Sequence, residues 1–101
     1  MSYSVMMIDP ESCDTLEERT VTYNYQPILT APEVFGVDGI WRLRDMTGLE
    51  SFPILKAAVE SLKKFEPMED LWMCNPGNVK YALQELTSWA MMYPKGIWEV
   101  L

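Results

Sequence analysis

The segment Asn75–Trp98 combines a helix start, a helical apolar stripe and a helix stop, so it constrains the fold more than any other part of the chain. Asn75 can cap the helix, and Pro76 suits its first position, where no amide donor is needed. Apolar residues then recur at helical spacing: Val79, Ala82, Leu83, Leu86, Trp89, Ala90 and Tyr93. Pro94-Lys95-Gly96 ends the helix. A short strand, Ile97–Leu101, is predicted to follow.

A second helix is predicted after Thr47-Gly48-Leu49-Glu50, because Glu50 lies three residues after Thr47 in the order of a capping box. Pro53 makes Ser51 an alternative start. One face of this helix is apolar and comprises Ile54, Leu55, Ala58, Val59 and Leu62. We expect it to end before Pro67, with Met68–Cys74 forming a connector anchored by Leu71 and Trp72.

Two strands are predicted in the first quarter of the chain. Tyr3–Asp9 is the first, and Arg19–Tyr25 is the second because apolar and polar residues alternate along it. The acidic, turn-rich link between them favours an antiparallel hairpin. Pro27 and Pro32 interrupt the backbone and predict a loop or a short helical turn over Ile28–Phe35, and Gly36 and Gly39 bracket a further turn.

These elements predict one domain over residues 1–101. Its fold class is α+β, with two antiparallel helices packed on a small, mainly antiparallel sheet of two to four strands. A sheet this small has unpaired edge strands, which favour self-association.

Composition narrows the possible functions. The net charge of −7 argues against direct binding to nucleic acid, and no apolar run is long enough to span a membrane. The chain has no histidine, which removes the commonest general base and metal ligand. Its only cysteines, Cys13 and Cys74, are expected to be free thiols. We therefore expect a non-enzymatic protein without metal or cofactor, located in the cytoplasm because the N-terminus lacks the pattern of a signal peptide.

The charge is concentrated in the link between the first two strands. Five acidic residues fall within ten positions: Asp9, Glu11, Asp14, Glu17 and Glu18. They are either a solvated hairpin turn or a patch that binds a basic partner, such as the nucleic-acid groove of another protein. The second interpretation predicts that all five form one exposed face.

A second group of residues suits a small ligand. Alternation would place Tyr23 and Tyr25 on one face and Asn24 on the other, which gives an aromatic platform beside an amide. Arg42 and Arg44 could recognise a phosphate or carboxylate. The alternatives are two core tyrosines and arginines that pair with acidic residues of this same chain.

Two features of the last helix each have a structural and a functional interpretation. The amides at Asn75-Pro76-Gly77-Asn78 could bind an anion or could simply be capped. Met91 is expected to face outward beside the apolar stripe, which indicates either an adaptable contact surface or a core crowded with large side chains.

Several pieces resemble, in order, a group of small bacteriophage and prophage proteins without assigned function. They are YSVMMIDPESCDTLE, VTYNYQPI, GIWRLRDMTGLESFPILKAAVESL and PGNVKYALQELTSWAMMYPKGIWEV. In similar sequences an insert often separates the turn from the TYN strand, whereas here that link is short. The resemblance implies a phage accessory gene, a class in which many members counter host defence.

Two functional hypotheses follow. The first is a non-enzymatic inhibitor of a host protein, foremost a defence nuclease such as a CRISPR effector, bound through the acidic patch. The second is an oligomeric sponge that sequesters a cyclic nucleotide signal through Tyr23, Asn24, Tyr25, Arg42 and Arg44. A small virion or regulatory component is a third possibility that no residue specifically supports.

Overall fold

The computed structural model describes residues 1–101 and contains three strands and three α-helices. The strands are β1 (Ser2–Ile8), β2 (Thr15–Thr22) and β3 (Ile97–Val100), and the helices are α1 (Gln26–Leu29), α2 (Gly48–Ser61) and α3 (Pro76–Met92). Short 3-10 helices cover Tyr23–Tyr25 and Gly39–Leu43. The predicted α+β class is confirmed.

The sheet has the order β2-β1-β3, and both pairings are antiparallel. The inner face of β1 buries Tyr3, Val5 and Met7, while the alternate residues of the strand remain partly exposed. This alternation follows from the period of two along a strand. The predicted hairpin is therefore confirmed, and the terminal strand joins its sheet beside β1.

Side-chain caps define where both long helices begin. The Thr47 hydroxyl accepts from the Glu50 amide at 3.1 Å, and the Glu50 carboxylate accepts from the Thr47 amide at 2.9 Å. Thr47 is thus the cap, and Ser51 lies fully buried in the first turn of α2. The Asn75 side chain accepts from the Asn78 amide at 3.1 Å and starts α3 as predicted.

The two long helices are antiparallel and cover the inner face of the sheet. The start of α2 lies against the end of α3, since a Cβ atom at Gly48 would be 2.8 Å from the Ala90 carbonyl oxygen. Trp98 of β3 is buried in the core, with its ring centroid 6.4 Å from that of Trp89. The predicted apolar stripe of α3 is buried from Val79 to Ala90.

The second strand differs from its prediction because it begins and ends earlier. β2 ends at Thr22, whose hydroxyl accepts from the Asn24 amide at 3.2 Å and starts the 3-10 helix. The chain therefore leaves the sheet before Tyr23. Tyr25 is buried and Tyr23 is 40% exposed, so the prediction that these two tyrosines share one strand face is wrong.

Candidate functional site

The tip of the hairpin is an ordered turn built around Asp9. The Asp9 carboxylate accepts from the amides of Glu11 at 2.8 Å and Ser12 at 3.3 Å, and its carbonyl accepts from the Cys13 amide. This is the local bonding that makes aspartate favourable in turns. Asp9 thus shapes the turn, which presents the exposed side chains of Glu11 and Asp14.

Glu17 and Glu18 lie on opposite faces of the sheet. Glu17 is opposite Met7 on the inner face, where its carboxylate accepts from the Tyr93 hydroxyl at 3.0 Å. That hydrogen bond raises the pKa of Tyr93, because it favours the protonated phenol. Glu18 is opposite Met6 and exposed. The prediction that all five acidic residues form one exposed face is therefore wrong at Glu17, because the pleat turns it inward. It is also wrong at Asp9, which is half-buried and whose carboxylate is bonded to amides of the turn.

Strand pairing gives the outer face of the sheet an apolar centre with acidic neighbours. Met6 of β1 is paired with Glu18 of β2 on one side and with Glu99 of β3 on the other. Ile8 is paired with Ile97 in the same way. We define the outer sheet face by seven residues: Ser4, Met6, Ile8, Glu18, Thr20, Ile97 and Glu99. None of them is a lysine or an arginine, and none belongs to the buried core or packs against it.

A concavity of about 390 Å³ connects the outer sheet face with the hairpin turn. Its wall includes Pro10 and Cys13 of the turn, Ile8, Ile97 and Glu99 of the sheet, and Arg44 at the border. The acidic turn and the outer sheet face are therefore neighbours. Together they form one candidate binding surface.

Sequence reasoning missed the contribution of β3 to this surface. The alternation in Ile97-Trp98-Glu99-Val100 does place Ile97 and Glu99 on one face. However, their position beside Met6 and Ile8 depends on pairing between the two ends of the chain. Local periodicity carries no signal for that pairing.

Only part of the predicted ligand-binding group is brought together. The guanidinium of Arg44 lies 4.5 Å from the centroid of the Trp41 ring. The ring of Tyr3 links this pair to Tyr23, at centroid distances of 6.2 Å from Trp41 and 4.5 Å from Tyr23. Neither Tyr23 nor Trp41 lines a surface concavity.

The other members of that group make structural contacts elsewhere. The Asn24 amide donates to the Trp72 carbonyl at 2.8 Å, and the Tyr25 hydroxyl donates to the Leu71 carbonyl. Burial raises the pKa of Tyr25. The Arg42 guanidinium donates to the Phe35 carbonyl at 3.5 Å.

The alternative in which Arg42 and Arg44 pair with acidic side chains of the chain is also wrong. The two ion pairs of the structure are Arg19–Glu85 at 3.3 Å and Lys63–Glu60 at 3.5 Å. Arg44 stacks on an indole instead, and Arg42 is held by a carbonyl group.

The start of α3 is occupied by its own chain. The Asn75 side chain takes the Asn78 amide, and the backbone of Glu66 lies so close to Gly77 that a Cβ atom there would overlap it. The interpretation of this helix start as a cap fits these contacts. The expectation that Leu71 and Trp72 anchor the connector with their side chains is wrong, because both side chains are exposed. Their carbonyl groups accept hydrogen bonds from Tyr25 and Asn24 instead.

No protein family, curated protein or solved structure matches this chain. None of the three α-helices has the length and hydrophobicity that a membrane-spanning helix needs. Cys13 and Cys74 are free and exposed, and no cluster of three or more potential metal-ligating side chains is present. We therefore infer function from the surface itself.

Proposed function

We propose that this chain is a non-enzymatic binding protein that inhibits a host protein through the outer sheet face and the acidic turn. The observation that supports this most is the position of Met6 between Glu18 and Glu99, on a face outside the packed core. An apolar centre within a polar rim is the usual anatomy of a protein interface. Compared with the acidic patch predicted from sequence, the proposed interface includes Glu99 and excludes Glu17, whose carboxylate is bonded to Tyr93.

The chemistry of this surface favours a basic partner. The outer sheet face and the turn carry Glu18, Glu99, Glu11 and Asp14, and the cations at their border are Arg44 beside the sheet and Lys95 beside the turn. Complementary charge speeds encounter and excludes wrong partners. A nucleic-acid-binding groove has the required positive charge, so a protein seated there would compete with the nucleic acid.

The resemblance to small bacteriophage proteins directs the choice of partner. A phage accessory protein made in the bacterial cytoplasm meets defence nucleases, of which CRISPR-Cas effectors have large basic grooves. We therefore propose a defence nuclease as the target and occupation of its groove as the means of inhibition. No catalytic step by this chain is involved.

A competition experiment tests this function. The protein is titrated against a panel of purified defence nucleases, with and without guide or target nucleic acid. We expect at least one nuclease to bind, and we expect prior loading with nucleic acid to weaken that binding. If no nuclease binds, or if nucleic acid leaves binding unchanged, the proposed function is wrong.

A pair of charge variants tests the surface. E18K/E99K reverses both carboxylates beside Met6, whereas E33K/D38K makes the same change in net charge at exposed positions away from the sheet. We expect about a hundredfold loss of affinity for the first variant and less than about threefold for the control. Equal losses would mean that only net charge matters.

One observation favours the cyclic nucleotide sponge as a second candidate. Arg44 stacked on the half-exposed Trp41 offers a guanidinium and an aromatic ring to a phosphate and a base. This candidate predicts a thermal shift with cyclic nucleotides, because ligand at 100 times its dissociation constant adds about 2.7 kcal/mol. Loss of the shift in R44A, with retention in R42A, would locate the site.

A further inference from the structure

The connector, taken here as all of residues 62–75 between α2 and α3, is held by hydrogen bonds from three side chains outside it, those of Asn78, Tyr25 and Asn24. Asn78 is fully buried, and its side chain accepts from the Met68 amide at 2.7 Å and donates to the carbonyls of Asp70 at 3.1 Å and Met73 at 3.0 Å. Asn24 and Tyr25 bond the next two carbonyl groups, those of Trp72 and Leu71. The connector is therefore an ordered segment.

The large apolar side chains of this ordered segment face solvent. Their exposed fractions run from 36% to 57%, for Phe65, Met68, Leu71, Trp72 and Met73. Tryptophan and methionine are enriched at protein interfaces. A segment already fixed in place loses little further entropy on binding, so it is prepared for a partner.

The charges around these side chains are arranged in a self-complementary order. The connector reads Lys63-Lys64-Phe65-Glu66-Pro67-Met68-Glu69-Asp70. If two copies align antiparallel along this stretch, its order matches three pairs twice: Lys63 with Asp70, Lys64 with Glu69, and Phe65 with Met68. Lys63 would then exchange its exposed ion pair with Glu60 for one with Asp70 of the second copy. A two-fold interface requires this reciprocity, in which residue i meets residue j and j meets i.

We infer that the connector is the contact surface of a symmetric dimer of this chain. Lys64 and Glu69 are both exposed, and neither has a side-chain hydrogen bond or an ion pair within the chain. Paired across the dimer they flank the Phe65–Met68 contact. The Lys64 ammonium group lies over the Phe65 ring, 5.9 Å from its centroid, and so at the same contact. The connector packs near Thr22, where β2 ends. The acidic turn joins β1 to β2 at the opposite end of the hairpin, so a dimer formed through the connector leaves the turn exposed.

Sedimentation equilibrium on the purified chain tests the dimer, with variants K64E and E69K. Each variant places like charges together at both symmetry-related pairs, so we expect each to dimerise about tenfold more weakly than the wild type. In K64E both positions carry carboxylates, and in E69K both carry ammonium groups. A heterodimer of the two variants therefore has opposite charges at both symmetry-related pairs. We expect an equimolar mixture of the two variants to form this heterodimer with the wild-type affinity.

Controls separate pairing from net charge and from misfolding. K56E and E33K make the same charge changes at exposed positions outside the connector and are expected to dimerise normally. Circular dichroism must show that each variant is folded. A wild-type chain that stays monomeric up to about 1 mM, the weak end of specific affinities, would overturn the inference, as would a mixture that stays monomeric. Neither outcome bears on nuclease binding.

Discussion

The Ser51 hydroxyl accepts the indole N–H of Trp98 at 2.6 Å inside the core. The same hydroxyl donates to the Gly48 carbonyl in the first turn of α2. This pair fixes the helix in the middle of the chain to the C-terminal strand, 47 residues further on. It also satisfies the one polar atom of a fully buried tryptophan.

Replacing Ser51 by alanine leaves the Trp98 indole N–H buried without an acceptor. We expect S51A to lower the free energy of unfolding by about 1–3 kcal/mol, the usual cost of an unsatisfied buried donor. Urea denaturation measures this. The exposed Ser88→Ala serves as the control and should cost less than about 0.5 kcal/mol. Equal effects of the two substitutions would show that the buried bond contributes nothing.

The helices could be predicted from sequence because their signals are local. The start of α2 is predicted by the pair Thr47 and Glu50, and the start of α3 by Asn75 followed by Pro76. The structure confirms both caps. The bounds of β2 could not be predicted, since the alternation continues past Thr22 into Tyr23 and Asn24. There the capping bond from the Thr22 hydroxyl and the contacts of Asn24 with Trp72 override the strand pattern.

Removing the Asn78 side chain should release the connector. In N78A the Met68 amide and two carbonyl groups lose their partners, so we expect a loss of about 1–3 kcal/mol and faster proteolysis within residues 66–74. Limited proteolysis with mass spectrometry locates the cleavage. The control N24A loses one exposed bond to the same segment and should change cleavage much less.

Stability at alkaline pH should depend on Tyr93. Its pKa is raised by the hydrogen bond to Glu17, so the protonated phenol is favoured in the folded chain. The resulting stability is fully present below the unfolded value of 10.0 and is lost as the pH rises through the folded value. We expect the stability difference between wild type and Y93F to shrink above pH 10, as followed by urea denaturation.

Tyr81 provides the matched control for this pH dependence. Its side chain is exposed on α3 and has no hydrogen bond within the chain, so the Y81F and wild-type curves should remain parallel. Tyr25, whose pKa burial raises, contributes to the alkaline loss in both proteins and cancels in the comparison. A constant difference between wild type and Y93F across pH 10 would contradict the role given to Glu17.

The turn contains a strained residue that can be relieved. Cys13 has a φ of 64°, in the left-handed region that costs non-glycine residues about 1 kcal/mol. Glycine has no such penalty but is more flexible in the unfolded chain. We expect C13G to change stability by less than about 1 kcal/mol, whereas C13V should destabilise by more than that, since β-branched residues avoid this region. Thermal unfolding compares the two.

Part of the candidate surface was accessible from sequence and part was not. The cluster from Asp9 to Glu18 marked the hairpin as the acidic end of the molecule, and Glu11, Asp14 and Glu18 are exposed there. The face of the sheet to which an acidic residue points cannot be predicted until the bounds and register of the strand are known. For that reason the predicted acidic patch includes Glu17, which faces inward. Glu99 was missed because only the pairing of the two chain ends places it beside Met6.

An NMR map of the bound face tests directly whether the outer sheet face and the acidic turn bind the nuclease. The ¹⁵N-labelled chain is titrated with a nuclease that binds it, and amide signals are followed residue by residue. We predict that the strongest changes fall on Met6, Ile8, Glu18, Ile97 and Glu99 and on the hairpin turn. Changes confined to α2, α3 or the connector, with the outer sheet face unaffected, would show that the protein binds through another surface.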